Sequence, residues 1–201
     1  EATLVVSVQL ANNEVGTIQP VRELARIAHA RGALFHTDAV QAAGKVPIDV
    51  GELDVDLLTL SSHKLHGPKG VGALYVRKGI VLEPLVHGGR QEHGLRAGTE
   101  NVAGIAGTGA AAALALHALS DAPRIAALRD RLEEGVLALV PGARRNGPRE
   151  GRVPNTSSLT LPGLRGEALV VALDQHGVAL SSGSACKAGS PEPTHVLLAM
   201  G

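Results

Sequence analysis

Residues 34–41 read Leu-Phe-His-Thr-Asp-Ala-Val-Gln, and residues 57–64 read Leu-Leu-Thr-Leu-Ser-Ser-His-Lys. Each is a short apolar run that stops at polar groups, the pattern of a buried strand delivering a loop. Working outward, Leu4 to Leu10 is another apolar run, rich in β-branched residues, and it feeds the polar turn Asn12-Asn13-Glu14-Val15-Gly16. Pro20 suits the first turn of a helix, Leu24, Ile27 and Ala28 recur at helical spacing, and Gly32 is its stop. Gly72 to Val76 reads as a further strand. Short apolar strands alternating with helices predict an α/β fold with a mostly parallel sheet covered by helices.

Beyond residue 80 the pattern changes. Val86 to Thr99 carries four glycines and several basic residues without apolar periodicity, and reads as an ordered functional loop or an exposed arm. Ala103 to Leu119 is an Ala-rich helix. Asp121-Ala122-Pro123 opens a second helix that runs to Val140, with Ile125, Leu128, Leu132, Val136 and Leu139 on one face and Pro141-Gly142 as its stop. A domain boundary is expected near residue 118, separating residues 1–118 from a smaller α+β unit at 119–201. In that unit Ser157 to Leu161 and Val178 to Leu180 read as strands and Gly166 to His176 as a helix, leading into the loop Ser-Ser-Gly-Ser-Ala-Cys-Lys-Ala-Gly-Ser at 181–190.

Composition excludes several function classes. Nineteen Lys and Arg balance nineteen Asp and Glu, so no net field is available to hold a nucleic-acid backbone or an anionic membrane surface. Phe35 and Tyr75 are the only aromatic residues, which leaves no platform for stacking bases or sugars. Cys186 is the only cysteine, so neither an intrachain disulfide nor a multi-thiolate metal site is expected. No uninterrupted apolar stretch approaches a membrane span, and the first residues lack a basic leader; a cytoplasmic location is the expectation.

The chemistry concentrates at the strand ends. In a parallel sheet, Asp38 and Lys64 both follow strands at their carboxyl ends, where ligands bind, so a carboxylate and an amine can converge on one molecule. An Asp facing a pyridinium nitrogen and a Lys forming a Schiff base are what pyridoxal phosphate requires. Taken singly, each residue is also what a turn or a solvated surface supplies. Gly67-Pro68-Lys69-Gly70 lacks the spacing of a nucleotide-binding P-loop and more simply lets the backbone pass close to a ligand. Cys186 sits among small and polar residues, unlike a core strand, and Lys187 beside it favours the thiolate.

Four segments in order along the chain, HTDAVQAAGKVPID, LTLSSHKLHGPKGVGALYVR, HGGRQEHGLRAGTENV and SSGSACKAGSPEPTHVLLAMG, resemble successive signatures of the cysteine desulfurases, pyridoxal-phosphate enzymes of the class V aminotransferase group. The cysteine segment is similar to that of the iron-sulfur and nitrogen-fixation branch. The resemblance implies an aminotransferase-like fold, with a large cofactor-binding domain and a small domain carrying the cysteine loop. It makes Lys64 the Schiff-base lysine and Asp38 the partner of the ring nitrogen. Gln41 would donate to the phenolate oxygen, and Asn13 would stand beside cofactor and substrate. Ser61 and His63 would bind the phosphate, and Thr99 would reach the phosphate of the neighbouring subunit of a homodimer. Cys186 would take the sulfur of L-cysteine as a persulfide, releasing L-alanine, and pass it to an acceptor or iron-sulfur scaffold protein.

Lys187 stands where the family carries a small hydroxylated residue. Relative to the family, the segments bearing the ring-stacking histidine and the substrate-clamping arginine are expected to lie outside this sequence. Two other readings are a related lyase or aminotransferase, such as one acting on selenocysteine, and a non-catalytic piece serving assembly.

Overall fold

A computed structural model of the chain describes residues 3–183 and 194–201. The chain divides into two compact units, residues 1–11 with 19–120, and residues 12–18 with 121–201.

The first unit is built on a four-stranded sheet in the order β1 (Val5–Gln9), β2 (Leu34–Asp38), β3 (Leu57–Ser61), β4 (Gly72–Val76). β1 pairs parallel with β2 and β2 parallel with β3, whereas β4 runs antiparallel to β3. The sheet is therefore mostly parallel, as the alternation of strands and helices predicts. Helix α1 (Val21–His29) crosses between β1 and β2 and buries Val21, Ala25 and Ala28. Phe35 and Thr37 of β2 are fully buried, while His36 and Asp38 point to the other face. Val55 and Leu58 complete this aliphatic core.

A buried carboxylate pins the amino ends of the strands. Asp56 Oδ2 accepts from the Phe35 N–H at 2.8 Å and meets His29 Nε2 at 2.8 Å, and Arg77 Nε lies 3.3 Å from Oδ1. The short helix α2 (Val50–Leu53) is capped by Asp49, whose Oδ1 accepts from the N–H groups of Gly51 and Glu52. Helix α3 (Val102–Ala118) opens on Asn101, whose Oδ1 accepts from Gly104 N–H at 3.0 Å, and it buries Gly104 and Ala111. The helical run Val102–Leu139 is apolar and long enough, by length and composition, to cross a bilayer, although no uninterrupted apolar span is evident in the sequence. Its first half instead lays small residues against the turn that follows β3.

The second unit holds helix α4 (Ala122–Leu139), a two-stranded ladder of β5 (Arg144–Arg145) and β6 (Leu159–Thr160), and helices α5 (Gly166–Asp174) and α6 (His195–Met200). Residues 178–180, read as a strand from their apolar run, form no ladder among the described residues. The segment 12–18 joins this unit through Ile18 N–H to the Gly151 carbonyl and Val153 N–H to the Gly16 carbonyl.

The face of α4 that the sequence marks as apolar is not the buried one. Leu128, Leu132 and Leu139 are exposed, and the fully buried position is Glu133. A carboxylate survives there because Arg152 grips it with two guanidinium nitrogens, at 2.6 and 2.5 Å, while Arg145 Nε donates at 2.7 Å. Burial alone would raise the Glu133 pKa; the hydrogen bonds from Arg152, Arg145 and Ser157 and the Arg152 charge outweigh it and hold the group at about 2. Since the folded value lies below the unfolded 4.5, the stabilisation is present above pH 4.5 and is lost as pH falls toward 2. It amounts to about 3 kcal/mol. Urea titrations between pH 7 and 2.5 should show the second unit losing most of that, and Glu133→Gln should flatten the profile and cost about 3–5 kcal/mol at pH 7 by leaving buried cations unpaired. An unchanged profile in the variant would place the acid sensitivity elsewhere.

Candidate active site

The carboxyl ends of β2 and β3 lie side by side, with Asp38 paired to Thr59 in register and Ser61 two residues further on. The polar groups ending both strands thus share one sheet edge. Asp38 is exposed; its Oδ1 accepts from the Val40 N–H at 2.9 Å, which fixes the carboxylate and leaves Oδ2 open among the described residues. Behind it, the N–H groups of Ala42 and Ala43 both bond to the Ala39 carbonyl and the Lys45 N–H bonds to that of Ala42, a tight turn that passes through Gly44 at a positive φ of 71°. Lys45 Nζ donates to Gln41 Oε1 at 2.9 Å.

After Ser61 the chain winds into a 3-10 turn, Ser62–Leu65. With three residues per turn, Ser62 and Leu65 fall on one side, and both are buried. Ser62 Oγ and Thr108 Oγ1 of α3 share a hydrogen bond at 2.9 Å. His63, exposed, and Lys64, half-buried, are left on the outward side. Ser61 Oγ and His63 Nδ1 lie 2.8 Å apart, which joins hydroxyl and imidazole into one unit. Lys64 is close enough to Lys45 for its charge to act there: burial first, and the Lys64 charge second, lower the Lys45 pKa. A band of hydrogen bonds, Ser7 Oγ to His36 Nδ1 at 2.7 Å and His36 Nε2 to Thr59 Oγ1 at 3.2 Å, crosses three strands on the face that Asp38 shares.

Gly67 closes the turn, its N–H donating to the Ser62 carbonyl at 3.0 Å. A methyl group there would run into Ser62 Oγ and meet Ala111 Cβ at 3.0 Å. Gly67→Ala should therefore push the turn off α3, lowering stability by about 1–3 kcal/mol. It should also displace Lys64, seen as altered reactivity of that amine in competitive labelling. A variant with wild-type stability and labelling would show that the turn yields without cost.

The first unit thus gathers Asp38, Gln41, Ser61, His63 and Lys64 at one sheet edge. Thr99 belongs to the same unit but lies apart, exposed after the loop that the Val86–Arg96 bridge closes and just before α3. Asn13 is in the second unit, exposed in a turn held by Asn12 Oδ1, which accepts from the N–H groups of Glu14 and Val15 at 2.8 and 3.0 Å. Within this turn Glu14 Oε2 is buried without a hydrogen-bond partner among the described residues. Cys186 and Lys187 lie outside the described residues. Among the described residues no cluster of His, Cys, Asp or Glu is arranged to hold a metal ion. The surface hollow lined by Arg22, Glu23, Arg26, Gly51 and Asp54 contains none of these side chains. Lys45 is the neighbour that sequence reasoning passed over; its four-residue spacing from Gln41 was the available signal.

The chain is 54% identical over 199 residues to a cysteine desulfurase of Gluconacetobacter diazotrophicus, a match covering 98% of this chain and 50% of that protein. It is 52% identical over 197 residues to the cysteine desulfurase NifS of Azotobacter vinelandii, covering 98% and 49%. Among solved structures, a NifS-like protein superposes with a TM-score of 0.84 at 46% identity, over 90% of this chain and 50% of that one. A NifS-like protein from Rickettsia africae gives 0.85 at 36% identity, over 91% and 51%. The chain spans about half the length of the curated relatives it matches. Residues 1–201 match the aminotransferase class-V family, and with a mostly parallel sheet that brings a carboxylate and a lysine to one edge, this chain belongs to that family.

Proposed function

We propose that this chain carries the cofactor-binding and sulfur-accepting groups of a cytoplasmic cysteine desulfurase that uses pyridoxal phosphate. The observation that carries this reading is the pairing of Asp38, at the end of β2, with Lys64, on the turn after the neighbouring parallel strand. The donor set fits the cofactor: one open carboxylate oxygen, one amine, one amide and a hydroxyl-imidazole pair. When bound, pyridoxal phosphate supplies an electron sink for charge developing at the substrate Cα.

Each side chain then has a task suited to its chemistry. Asp38 Oδ2 would face the ring nitrogen, since the other carboxylate oxygen is already bonded to the Val40 N–H and the group is thereby aimed. Gln41 donates to the phenolate oxygen. Ser61 and His63 would bind the phosphate as one linked pair, where a hydrogen bond to an anion is strong. Lys64 would offer the amine that holds the cofactor covalently and would move the proton at the substrate Cα. Asn13 is the residue that the family resemblance places beside cofactor and substrate, and Thr99, exposed within its own chain, would reach the phosphate site of the partner in a homodimer.

Cys186 attacks the sulfur of L-cysteine. The thiol's electron pair forms an S–S bond on the enzyme, the substrate C–S bond breaks with its electron pair left on carbon, and a proton equivalent to that of the thiol is taken up there, so that L-cysteine and a thiol become L-alanine and a persulfide. The persulfide sulfur then passes to an acceptor or iron-sulfur scaffold protein. Residues 1–118 serve as part of the large cofactor-binding domain and 119–201 as part of the small one, a division supported by the change of compact unit between Ser120 and Asp121, with residues 12–18 grouped in the second unit.

The test is stoichiometric. Protein reconstituted with pyridoxal phosphate should gain a visible absorbance band, and L-cysteine should give equal amounts of L-alanine and alkylation-trapped persulfide in the first turnover. Alanine without persulfide would point to a lyase instead.

A further inference from the structure

We infer that Lys45 is a positioning residue that orients the amide of Gln41 toward the cofactor. The inference rests on the reading of Gln41 given above.

An ammonium has three donors and no acceptor, so the end of the Gln41 side chain that meets it must be the carbonyl oxygen. The observed contact, Nζ to Oε1 at 2.9 Å, has that sense. A glutamine amide otherwise turns over between two nearly equivalent settings, one presenting oxygen and the other presenting two N–H donors. With Oε1 held by Lys45, the N–H end is left for the site. A phenolate oxygen needs that end, since the reverse setting would bring two oxygens together.

The surroundings of Lys45 support a role beyond surface charge. The side chain is half-buried, no carboxylate pairs with it among the described residues, and the neighbouring charge that bears on it is that of Lys64. A desolvated cation facing another cation is an unfavourable arrangement on its own. It becomes favourable when an anionic ligand atom sits nearby, and Gln41 links Lys45 to such an atom through one amide. The tight turn from Ala39 to Lys45, closed by Lys45 N–H to the Ala42 carbonyl, makes the geometry local on a segment anchored by Ala39 N–H to the Thr59 carbonyl of β3 at 3.1 Å.

Four variants test this with pyridoxal phosphate as the titrant: Lys45→Met, Lys45→Arg, Gln41→Leu and the double Lys45→Met/Gln41→Leu. The readouts are the cofactor Kd and the ratio of the long- to the short-wavelength cofactor bands at fixed pH. Lys45→Met should weaken binding about tenfold through loss of a charge-assisted hydrogen bond. It should also shift the bands toward the long-wavelength, protonated form, because the phenolate loses its donor. Gln41→Leu should do the same, the double variant should be no worse than Gln41→Leu, and Lys45→Arg should restore most of both signals. Additive losses in the double variant, or wild-type Kd and band ratio in Lys45→Met, would overturn the inference. A wild-type result for Gln41→Leu would instead strike the Gln41 reading itself. Circular dichroism and the thermal midpoint guard against misfolding, and Lys45→Arg keeps the test open should Lys45→Met be unstable.

Discussion

Lys64→Ala is expected to remove the visible cofactor band altogether and to lower turnover of L-cysteine by about 10³-fold or more, the scale of losing a covalent catalyst. The fold should be indifferent to the change. Ser62 and Leu65 do the packing of the 3-10 turn, while Lys64 lies on its outward side, so the stability difference should stay within about 0.5 kcal/mol. Absorbance after reconstitution and urea unfolding of the same sample check both halves. A variant that kept its band would transfer the Schiff base to another amine, with Lys45 as the first to examine because it is near enough to feel the Lys64 charge.

The second large effect belongs to Cys186. Cys186→Ser should stop alanine formation and persulfide labelling while leaving the cofactor spectrum of the wild type, since a hydroxyl is a far poorer nucleophile toward sulfur and Lys64 is untouched. The expected drop is again about 10³-fold or more. The wild-type thiol should also react with an alkylating probe near neutral pH, in keeping with Lys187 beside it favouring thiolate. Normal alanine output from the serine variant would remove Cys186 from the mechanism and leave Lys64 and Asp38 to a related lyase.

The strands bearing Asp38 and Lys64 were legible because each is an apolar run that halts abruptly at polar residues, and a run of that length has few alternatives once Gly and Pro punctuate its neighbours. The direction of β4 was not read, yet it was readable. Only ten residues separate Ser61 from Gly72, fewer than a parallel crossover needs, so the strand had to return antiparallel. Glu133 could not have been found by periodicity, since it is one of five charged residues between Arg129 and Glu134, and only Arg145 and Arg152 decide which of them is buried. The apolar stripe of α4 misled for the same reason: spacing reports which residues share a face, and partners elsewhere in the chain decide which face is covered. Lys45 was passed over because a lysine two residues before a proline reads as solvated surface until Gln41 and Lys64 are seen around it.

The placing of residues 12–18 with residues 121–201 bears on the order in which the protein can be made. During synthesis the sheet of the first unit is available once β4 has emerged, and α3 can dock some forty residues later. The turn at Asn12–Ile18 has no such early partner. It meets Gly151, Arg152 and Val153, so its hydrogen bonds to Gly151 and Val153 must wait through more than 130 residues of translation, although its local bonds need no such delay. At ribosomal speeds of about 5–20 residues per second, that is a delay of roughly 7–30 s. Expressing 121–201 as a separate piece would omit those seven residues, and the excised unit would lack the segment that Gly16 and Ile18 contribute to its backbone pairing.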